Sequence, residues 1–344
     1  MKSIRTEDSA GCVLGHDITR IIPGIEKGPV FKKGHIIKTE DIPVLLSVGK
    51  ENIYVYEKTE GMLHEDEAAQ VLKDIACKNA DNLRFSGPSE GKIEIISMID
   101  GLLEVNSKAL LAINSIDGLM MATRKGNTPV KAGDRLAGTR IIPLVIEETV
   151  LEKAKKAAGG EPVLKVLPYN KTVYSMVVTG NEVAKGLIKD AFSPVLERKL
   201  GEYGADCRQK TILSDDSKAI KKAIREGIEN GDDLILVTGG MSVDPDDRTP
   251  LAIRESTDGV VSYGAPVLPG AMFMLAYAFS EGRRIPVMGL PGCVMYAKRT
   301  IFDLVLPRIL AGQVLSKEDL TGYGEGGLCL SCDVCTWPNC GFGK

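Results

Sequence analysis

The chain has 344 residues, of which 44% are hydrophobic and 26% are charged, so it can bury a sizeable core and wholesale disorder is excluded. Lys and Arg number 43 against 46 Asp and Glu, a net charge of -3, which leaves no basic surplus for a dedicated nucleic-acid binder. No stretch approaches the ~18 apolar residues that span a bilayer. The N-terminus lacks the apolar core of a signal peptide, so we expect a cytoplasmic protein without a membrane partner.

The first half of the chain reads as two regions. Residues 1–60 contain short β-like runs between turns, for example 29–37 and 52–57, and predict a β-rich N-terminal module. Residues 61–165 predict an α+β region. Its clearest helix covers 64–80, where Ala68, Val71, Leu72, Ile75 and Ala76 recur at helical spacing. Strand-like runs follow at 92–99, 101–106 and 136–147.

The pattern changes to strand–helix alternation after residue 165. Apolar strands are predicted at 173–178, 209–213, 233–237 and 285–288. Helices are predicted at 192–203, at 215–229 with Ser214 as the cap, and after the last strand through residue 301. This alternation predicts an α/β domain over 166–315, with a parallel sheet covered by helices. Ligands of such sheets bind beyond the carboxyl ends of the strands.

The segment 238–250, TGGMSVDPDDRTP, is the first candidate binding loop at that edge. Gly239 and Gly240 let the backbone turn sharply after a buried strand, so its N–H groups suit a phosphate, and the hydroxyls of Thr238 and Ser242 add hydrogen bonds. Three acids follow, at Asp244, Asp246 and Asp247. Acids beside a phosphate favour Mg²⁺ between them. The alternative is an ordinary glycine-rich turn followed by a solvated acidic loop.

Three further loops follow strands at the same edge. Thr179-Gly180-Asn181-Glu182 offers close backbone approach and hydrogen bonds to a polar heterocycle, although helix N-termini have similar sequences. Ser214-Asp215-Asp216 is also a good helix start. Gly289-Leu290-Pro291-Gly292 is either a plain connector or a second anion contact.

In this order and at these spacings, the four motifs resemble the molybdopterin-binding domain shared by the molybdenum cofactor adenylyltransferases and the molybdenum insertases. The resemblance covers residues 172–312. It implies that the pterin phosphate lies on Thr238, Gly239, Gly240 and Ser242. Further cofactor contacts are implied at Thr179, Gly180, Glu182, Pro291 and Gly292. The acids Asp215 and Asp247 are implied to be catalytic and to help bind Mg²⁺.

The resemblance implies a protein of molybdenum or tungsten cofactor biosynthesis, and we expect a transferase that inserts metal into molybdopterin. Its substrates would be molybdopterin, in its adenylylated form, and molybdate or tungstate, with a recipient metalloenzyme as a further partner. Relatives assemble, so a homo-oligomer is expected. Residues 115–118, SIDG, resemble the Ser-x-Met-Asp-Gly segment of insertases only weakly. This weak match favours the alternative of a cofactor carrier or sensor. Thr249-Pro250 resembles the adenylyltransferase form, a third possibility.

Four cysteines, Cys329, Cys332, Cys335 and Cys340, fall in the last sixteen residues. They follow Gly322, Gly324, Gly326 and Gly327, so residues 316–344 read as a flexible tether with a metal-binding tail. Four thiolates this close suit one metal centre. The C-x2-C-x2-C spacing favours an iron–sulfur cluster, and the alternatives are zinc, redox-active thiols or unligated thiols. We expect Trp337 and Pro338 to shield one side of such a centre.

Overall fold

The computed structural model describes residues 2–22, 26–55, 60–78, 80–242, 244 and 247–344. The chain divides into two compact units. Unit 1 comprises Met1–Ile99, Leu103–Gly126 and Lys131–Val166, and unit 2 comprises Asp100–Leu102, Asn127–Val130 and Leu167–Lys344. No helix in the described ranges combines the length and the apolar composition needed to cross a bilayer.

The N-terminal part of unit 1 is built from short strands around a small core. Its strands are β1 (Lys2–Arg5), β2 (Ile18–Ile22), β3 (Glu26–Phe31), β4 (Asn52–Val55) and β5 (Met62–His64), and its helices are α1 (Ile42–Ser47) and α2 (Glu65–Cys77). Strand β1 pairs with β4 and β2 with β3, both antiparallel. Leu14, Ile37, Leu45 and Ile53 form the core. The strand predicted at 52–57 ends at Val55, and residues 56 and 57 lie outside the described part of the chain.

Helix α2 is the helix predicted at 64–80, but it is shorter and its buried face differs slightly. Its N-cap is His64, whose side chain accepts a hydrogen bond from Asp66 N, and the helix ends at Cys77. Ala68, Leu72 and Ala76 are buried as expected, whereas Val71 is exposed. The buried face therefore rotates toward Ala69, away from Val71.

The rest of the first half is also α+β. The strands are β6 (Leu83–Phe85), β7 (Lys92–Ser97), β8 (Gly101–Val105), β9 (Leu119–Thr123), β10 (Thr128–Val130), β11 (Arg135–Ile141), β12 (Val145–Glu147) and β13 (Leu164–Pro168), and the helices are α3 (Ser107–Asn114) and α4 (Glu148–Ala157). Strands β6, β7, β11 and β9 form an antiparallel sheet in that order. The run 136–147 is split after Ile141, because Pro143 has no N–H group to donate to a strand ladder.

Unit 2 contains the α/β sheet predicted after residue 165. The strands are β14 (Val173–Thr179), β15 (Asp206–Leu213), β16 (Leu234–Thr238), β17 (Gly259–Tyr263), β18 (Met274–Ser280) and β19 (Arg283–Leu290), and the helices are α5 (Asn181–Ala184), α6 (Phe192–Gly201), α7 (Ser217–Glu229), α8 (Thr249–Ser256), α9 (Ile301–Leu310) and α10 (Lys317–Thr321). The sheet order is β15-β14-β16-β19-β18-β17. The first four strands are parallel, and β18 and β17 are antiparallel additions at one side that the sequence did not predict.

Helices cover both faces of this sheet, as the apolar strands require. Alternate residues of β16 point to opposite sides. Leu236 belongs to the cluster that includes Leu196 of α6 and Val305 of α9. Val237 belongs to the cluster that includes Ile220 of α7. The fold class predicted for this half of the chain is therefore confirmed.

Two helix boundaries differ from the prediction. Helix α7 begins at Ser217, and its cap is Asp216, whose Oδ1 accepts from Lys218 N at 2.9 Å, so Ser214 does not cap it. After β19 the chain forms a 3-10 turn over Gly292–Met295, and α9 begins at Ile301 instead of ending there. Thr300 and Asp303 form a capping box that fixes this start.

The C-terminal segment packs against the rest of unit 2, in contrast to the flexible tether expected from its glycines. Leu268 N donates to Gly327 O and Cys329 N donates to Leu268 O, each at 2.8 Å. A Cβ at Gly327 would lie 2.3 Å from Tyr323 O, so this glycine permits close backbone packing. Phe342 is buried in the same cluster as Val305. The glycines here serve packing, which composition alone does not distinguish from flexibility.

Candidate functional site

The carboxyl ends of the four parallel strands lie along one edge of the sheet. Thr179 at the end of β14 is in register with Leu213 at the end of β15. Thr238 at the end of β16 is in register with Val178 on one side and Leu290 on the other. The loops that follow these strands, which carry the four motifs, therefore start side by side.

The loop after β16 lies against the end of β14 in a way that only glycine permits. Gly239 has a φ of +83°, and a Cβ there would lie 2.0 Å from Thr179 O. Gly240 has a φ of +54°, and a Cβ there would lie 2.9 Å from Thr249 Oγ1. These positions are strained for any other residue, and the added Cβ would clash. Gly239 and Gly240 thus set the path of the loop, as their motif predicted.

Backbone donors remain available in this loop. In the described part of the chain, no hydrogen bond uses the N–H groups of Gly240 and Met241. The next N–H group, that of Ser242, donates to Asp247 Oδ2 at 2.6 Å. Because one amide of the loop already donates to a carboxylate, the loop is suited to binding anionic oxygens.

Asp215 bridges two of the motif loops. Its Oδ2 accepts a hydrogen bond from Asn181 N at 3.1 Å. Its Oδ1 would lie 3.5 Å from a Cβ at Gly240. The structure therefore brings Asp215 together with the loops after β14 and β16, while Asp247 contacts the β16 loop at Ser242. Asp244 is exposed, and Asp246, the second of the three acids of the motif, lies outside the described residues.

The threonine hydroxyls of the site differ from the prediction. Thr238 is completely buried, and its hydroxyl has no hydrogen-bond partner in the ranges the structure describes, so it does not face a ligand at the surface. The hydroxyl of Thr179 lies 3.3 Å from that of Thr249. From the sequence, Thr249, the first residue of α8, belongs to the 238–250 motif but is not predicted to contact the ligand. Its position beside Gly240 makes it a member of the site.

Tyr263 is a site residue that the sequence did not reveal. Its hydroxyl donates to Met241 O at 2.9 Å and lies 3.4 Å from Ser242 O. Partial burial raises the pKa of Tyr263, and the negative charge of Asp247 raises it further, so the hydroxyl stays protonated as a donor. Tyr263 ends β17, an antiparallel strand whose end carries none of the four motifs, so no sequence signal connected it to this loop.

The remaining candidates lie at the same edge but make fewer contacts. Gly180 N donates to Leu213 O at 3.1 Å, and Glu182 is exposed in the short helix α5. Pro291 is buried directly after β19, and Gly292 is exposed at the start of the 3-10 turn. Pro291 and Gly292 lie at this edge because β19, which they follow, ends beside β16.

The four C-terminal thiols are not gathered into a ligand set. Cys332 and Cys335 are exposed, while Cys329 and Cys340 are half-buried. Across the described residues, no group of three or more His, Cys, Asp and Glu side chains is arranged to hold a metal ion. Trp337, expected to shield such a centre, instead has the Arg299 guanidinium 4.4 Å from the centre of its ring.

Two regions of the chain match known protein families. Residues 175–311 match the family described as a probable molybdopterin binding domain. This match confirms the resemblance drawn from the four motifs for that part of the chain. Residues 3–57 match a domain of unknown function.

Individual relatives are similar over a part of the chain only. A CinA-like protein of Petrotoga mobilis is 38% identical over 81 residues, which is 24% of this chain and 20% of that protein. A molybdenum cofactor biosynthesis bifunctional protein of Synechococcus elongatus is 34% identical over 84 residues, 24% of this chain and 26% of that protein. The tungsten cofactor synthesizing protein MoaB from Pyrococcus furiosus is a structural neighbour with 21% identity and a TM-score of 0.34. It covers 40% of this chain and 90% of its own. The chain thus spans about a quarter or less of the length of these sequence relatives.

Proposed function

We propose that unit 2 binds molybdopterin at the carboxyl edge of its sheet and acts in molybdenum or tungsten cofactor biosynthesis. The observation that carries this proposal is the convergence of three motif loops on one another through Asp215, Gly239 and Gly240. The family match over residues 175–311 supports a pterin as the ligand.

In this proposal the terminal phosphate of the pterin binds the β16 loop. The N–H groups of Gly240 and Met241 donate to its oxygens, and the exposed Ser242 hydroxyl adds a further donor. Tyr263 holds the carbonyl groups of Met241 and Ser242, which keeps the loop in the conformation that presents these donors. Thr179, Gly180 and Glu182 of the first loop contact the rest of the ligand, as do Pro291 and Gly292.

Asp215 and Asp247 are the proposed holders of Mg²⁺. Mg²⁺ commonly uses one or two protein carboxylates and takes its other ligands from substrate phosphates and water. Asp215, whose Oδ1 would lie 3.5 Å from a Cβ at Gly240, and Asp247, which accepts a hydrogen bond from Ser242 N, offer two carboxylates beside the phosphate-binding loop, which fits that donor set. When bound, the ion would neutralise phosphate charge. Asp215 also holds the first loop through Asn181 N, and Asp247 holds the second through Ser242 N.

The proposed reaction is metal insertion into adenylylated molybdopterin. The two dithiolene thiols bind the molybdenum of molybdate and displace one of its oxygens as water, and hydrolysis of the phosphoanhydride between the pterin phosphate and AMP consumes one water and releases AMP. Asp215 and Asp247 are the proposed catalytic residues, because they lie where the phosphate end of the ligand binds. A second candidate is a non-catalytic carrier or sensor, favoured by the faint insertase signature at residues 115–118 and by the cysteine-bearing tail. A third is adenylylation of molybdopterin, favoured by Thr249 beside Gly240.

The experiment is molybdate-dependent AMP release from adenylylated molybdopterin by the purified full chain. We expect release by the unaltered protein and a loss of about tenfold or more in Asp247→Asn, with Asp206→Asn at the opposite end of β15 as the matched control. Pterin binding without AMP release supports the carrier, and pterin-dependent consumption of ATP supports the adenylyltransferase. Absence of pterin binding contradicts all three.

The metal centre of the tail is a separate proposal. We propose that Cys329, Cys332, Cys335 and Cys340 rearrange around an iron–sulfur cluster, or around zinc, when the metal is supplied. Anaerobic purification followed by iron, sulfide and zinc analysis tests this. Iron with labile sulfide supports the cluster, stoichiometric zinc without sulfide supports the alternative, and neither metal contradicts a metal centre. A homo-oligomer, a recipient metalloenzyme as partner and a cytoplasmic location also remain proposals.

A further inference from the structure

A cavity lies at the opposite edge of the unit 2 sheet from the candidate pterin site, where the parallel strands begin. Its volume is about 300 Å³. Lys171 and Thr172 precede β14, Asp233 precedes β16, and Arg283 and Arg284 begin β19. The segment after α9 closes the cavity. No described residue of the four motif loops lines it, so it is distinct from the candidate pterin site.

Among the described residues that line this cavity, Asp233 is the one carboxylate, and its charge is already neutralised. Asp233 Oδ1 lies 2.9 Å from Arg283 Nη1, and Asp233 Oδ2 accepts a hydrogen bond from Val173 N at 2.8 Å. Arg283 Nη2 donates to Gly231 O at 3.1 Å. Arg283 and Asp233 therefore form a mutually satisfied pair that adds no net charge to the lining.

Two further cations of the lining have no such partner. The Arg284 guanidinium lies 5.0 Å from the ring centre of Phe279 and 5.7 Å from that of Tyr277. Aromatic rings hold a guanidinium in place but do not cancel its charge. In the described part of the chain, neither Arg284 nor Lys171 forms an ion pair. The cavity thus carries two uncompensated positive charges.

Neutral donors complete the lining. The Tyr277 oxygen accepts a hydrogen bond from Leu315 N at 2.9 Å, which leaves its O–H group free to donate. Burial raises the pKa of Tyr277, so this proton is retained. The side chain of Asn170 also lines the cavity and offers an amide N–H donor.

We propose that this cavity binds the phosphate group of a small phosphate monoester. A monoester phosphate carries a charge of about -1.5 to -2 at pH 7, which matches the two free cations, and its oxygens accept from the neutral donors. A cavity of about 300 Å³ is at the lower end of ligand-binding pockets, which suits a mononucleotide or a smaller molecule. The proposal does not depend on the function of the opposite edge.

The experiment is calorimetric titration of the full chain with AMP, inorganic phosphate and sulfate. We expect AMP to bind, with affinity reduced about tenfold in Arg284→Gln and about fivefold in Lys171→Gln. Arg254→Gln and Lys155→Gln, which alter exposed cations elsewhere, should bind as the unaltered protein does. Matching circular dichroism spectra and Tm values for all variants exclude unfolding as the cause.

Each alternative binding result leads to a different conclusion. Equal affinities for AMP and inorganic phosphate would identify the free anion as the ligand, which overturns the monoester. AMP binding that is lost in Asp247→Asn but kept in Arg284→Gln would place the nucleotide at the carboxyl edge and overturn the proposal. Failure of all three probes to bind would overturn it as well. Loss of pterin binding with AMP binding intact would contradict only the proposed function.

Discussion

The two edges of the unit 2 sheet offer anions different kinds of donor. At the carboxyl edge, the donors are backbone N–H groups of a glycine loop, and carboxylates at Asp215 and Asp247 lie beside them. At the amino edge, the donors are side-chain cations, and Asp233, the carboxylate among the described residues of the cavity lining, is paired with Arg283. A backbone site is sensitive to any added side chain, whereas a side-chain site is sensitive to the loss of a charge. This difference yields four predictions.

The largest effect is expected from Gly239→Ala at the carboxyl edge. The new Cβ would clash with Thr179 O at 2.0 Å, and alanine is strained at a φ of +83°. We expect a loss of about 3 kcal/mol in the free energy of unfolding, measured by urea denaturation. Gly259→Ala is the control, since a Cβ there meets nothing within 4 Å. Equal midpoints for both variants would show that the loop can move away from β14.

Tyr263→Phe tests whether the loop must be held from β17. The substitution removes the hydrogen bond to Met241 O and leaves the ring in place. We expect about fivefold weaker pterin binding, equivalent to one hydrogen bond of about 1 kcal/mol. Tyr54→Phe, at an exposed tyrosine of unit 1, is the control. Unchanged pterin affinity in Tyr263→Phe would remove Tyr263 from the positioning role.

Salt is expected to weaken anion binding at the amino edge of the sheet, where the donors are side-chain cations. Raising the ionic strength from ~0.01 M to ~0.1 M shortens the Debye length from ~30 Å to ~10 Å. Because Lys171 is exposed and Arg284 is charged, we expect AMP binding at the amino edge to weaken about fourfold, measured by calorimetry. Sodium chloride and potassium chloride should act alike. AMP affinity that is independent of salt would contradict binding by these cations.

Asp233→Asn should have the smallest effect and the opposite sign. The asparagine oxygen still accepts from Val173 N, while Arg283 loses its counter-charge. The cavity gains one uncompensated positive charge near the surface, so we expect AMP affinity to rise about twofold. Pterin binding at the other edge should not change. Weaker AMP binding in this variant would indicate that Asp233 itself contacts the ligand.

Much of the carboxyl edge could be predicted from the sequence, and the reason is local. The apolar runs of β14 and β16 each end at a threonine that is followed by a glycine, so the strands, the turns and their common edge follow from residues close in the chain. The boundaries of α7 and α9 were less accurate, because Asp216 and Thr300 compete with nearby residues as caps. The burial of Thr238 was missed, since strand alternation does not distinguish a buried hydroxyl from an exposed one at a strand end.

The sequence by itself determined the α/β class of unit 2, the order of its motif loops and the positions of the glycines that permit a tight loop. These features depend on periodicity and on backbone conformations that few residues adopt. The tertiary structure alone decided that Tyr263 holds the β16 loop, that the glycine-rich tail packs against the rest of unit 2, and that Lys171 and Arg284 line one cavity. Such contacts join residues far apart in the chain, and no local pattern encodes which distant strands become neighbours.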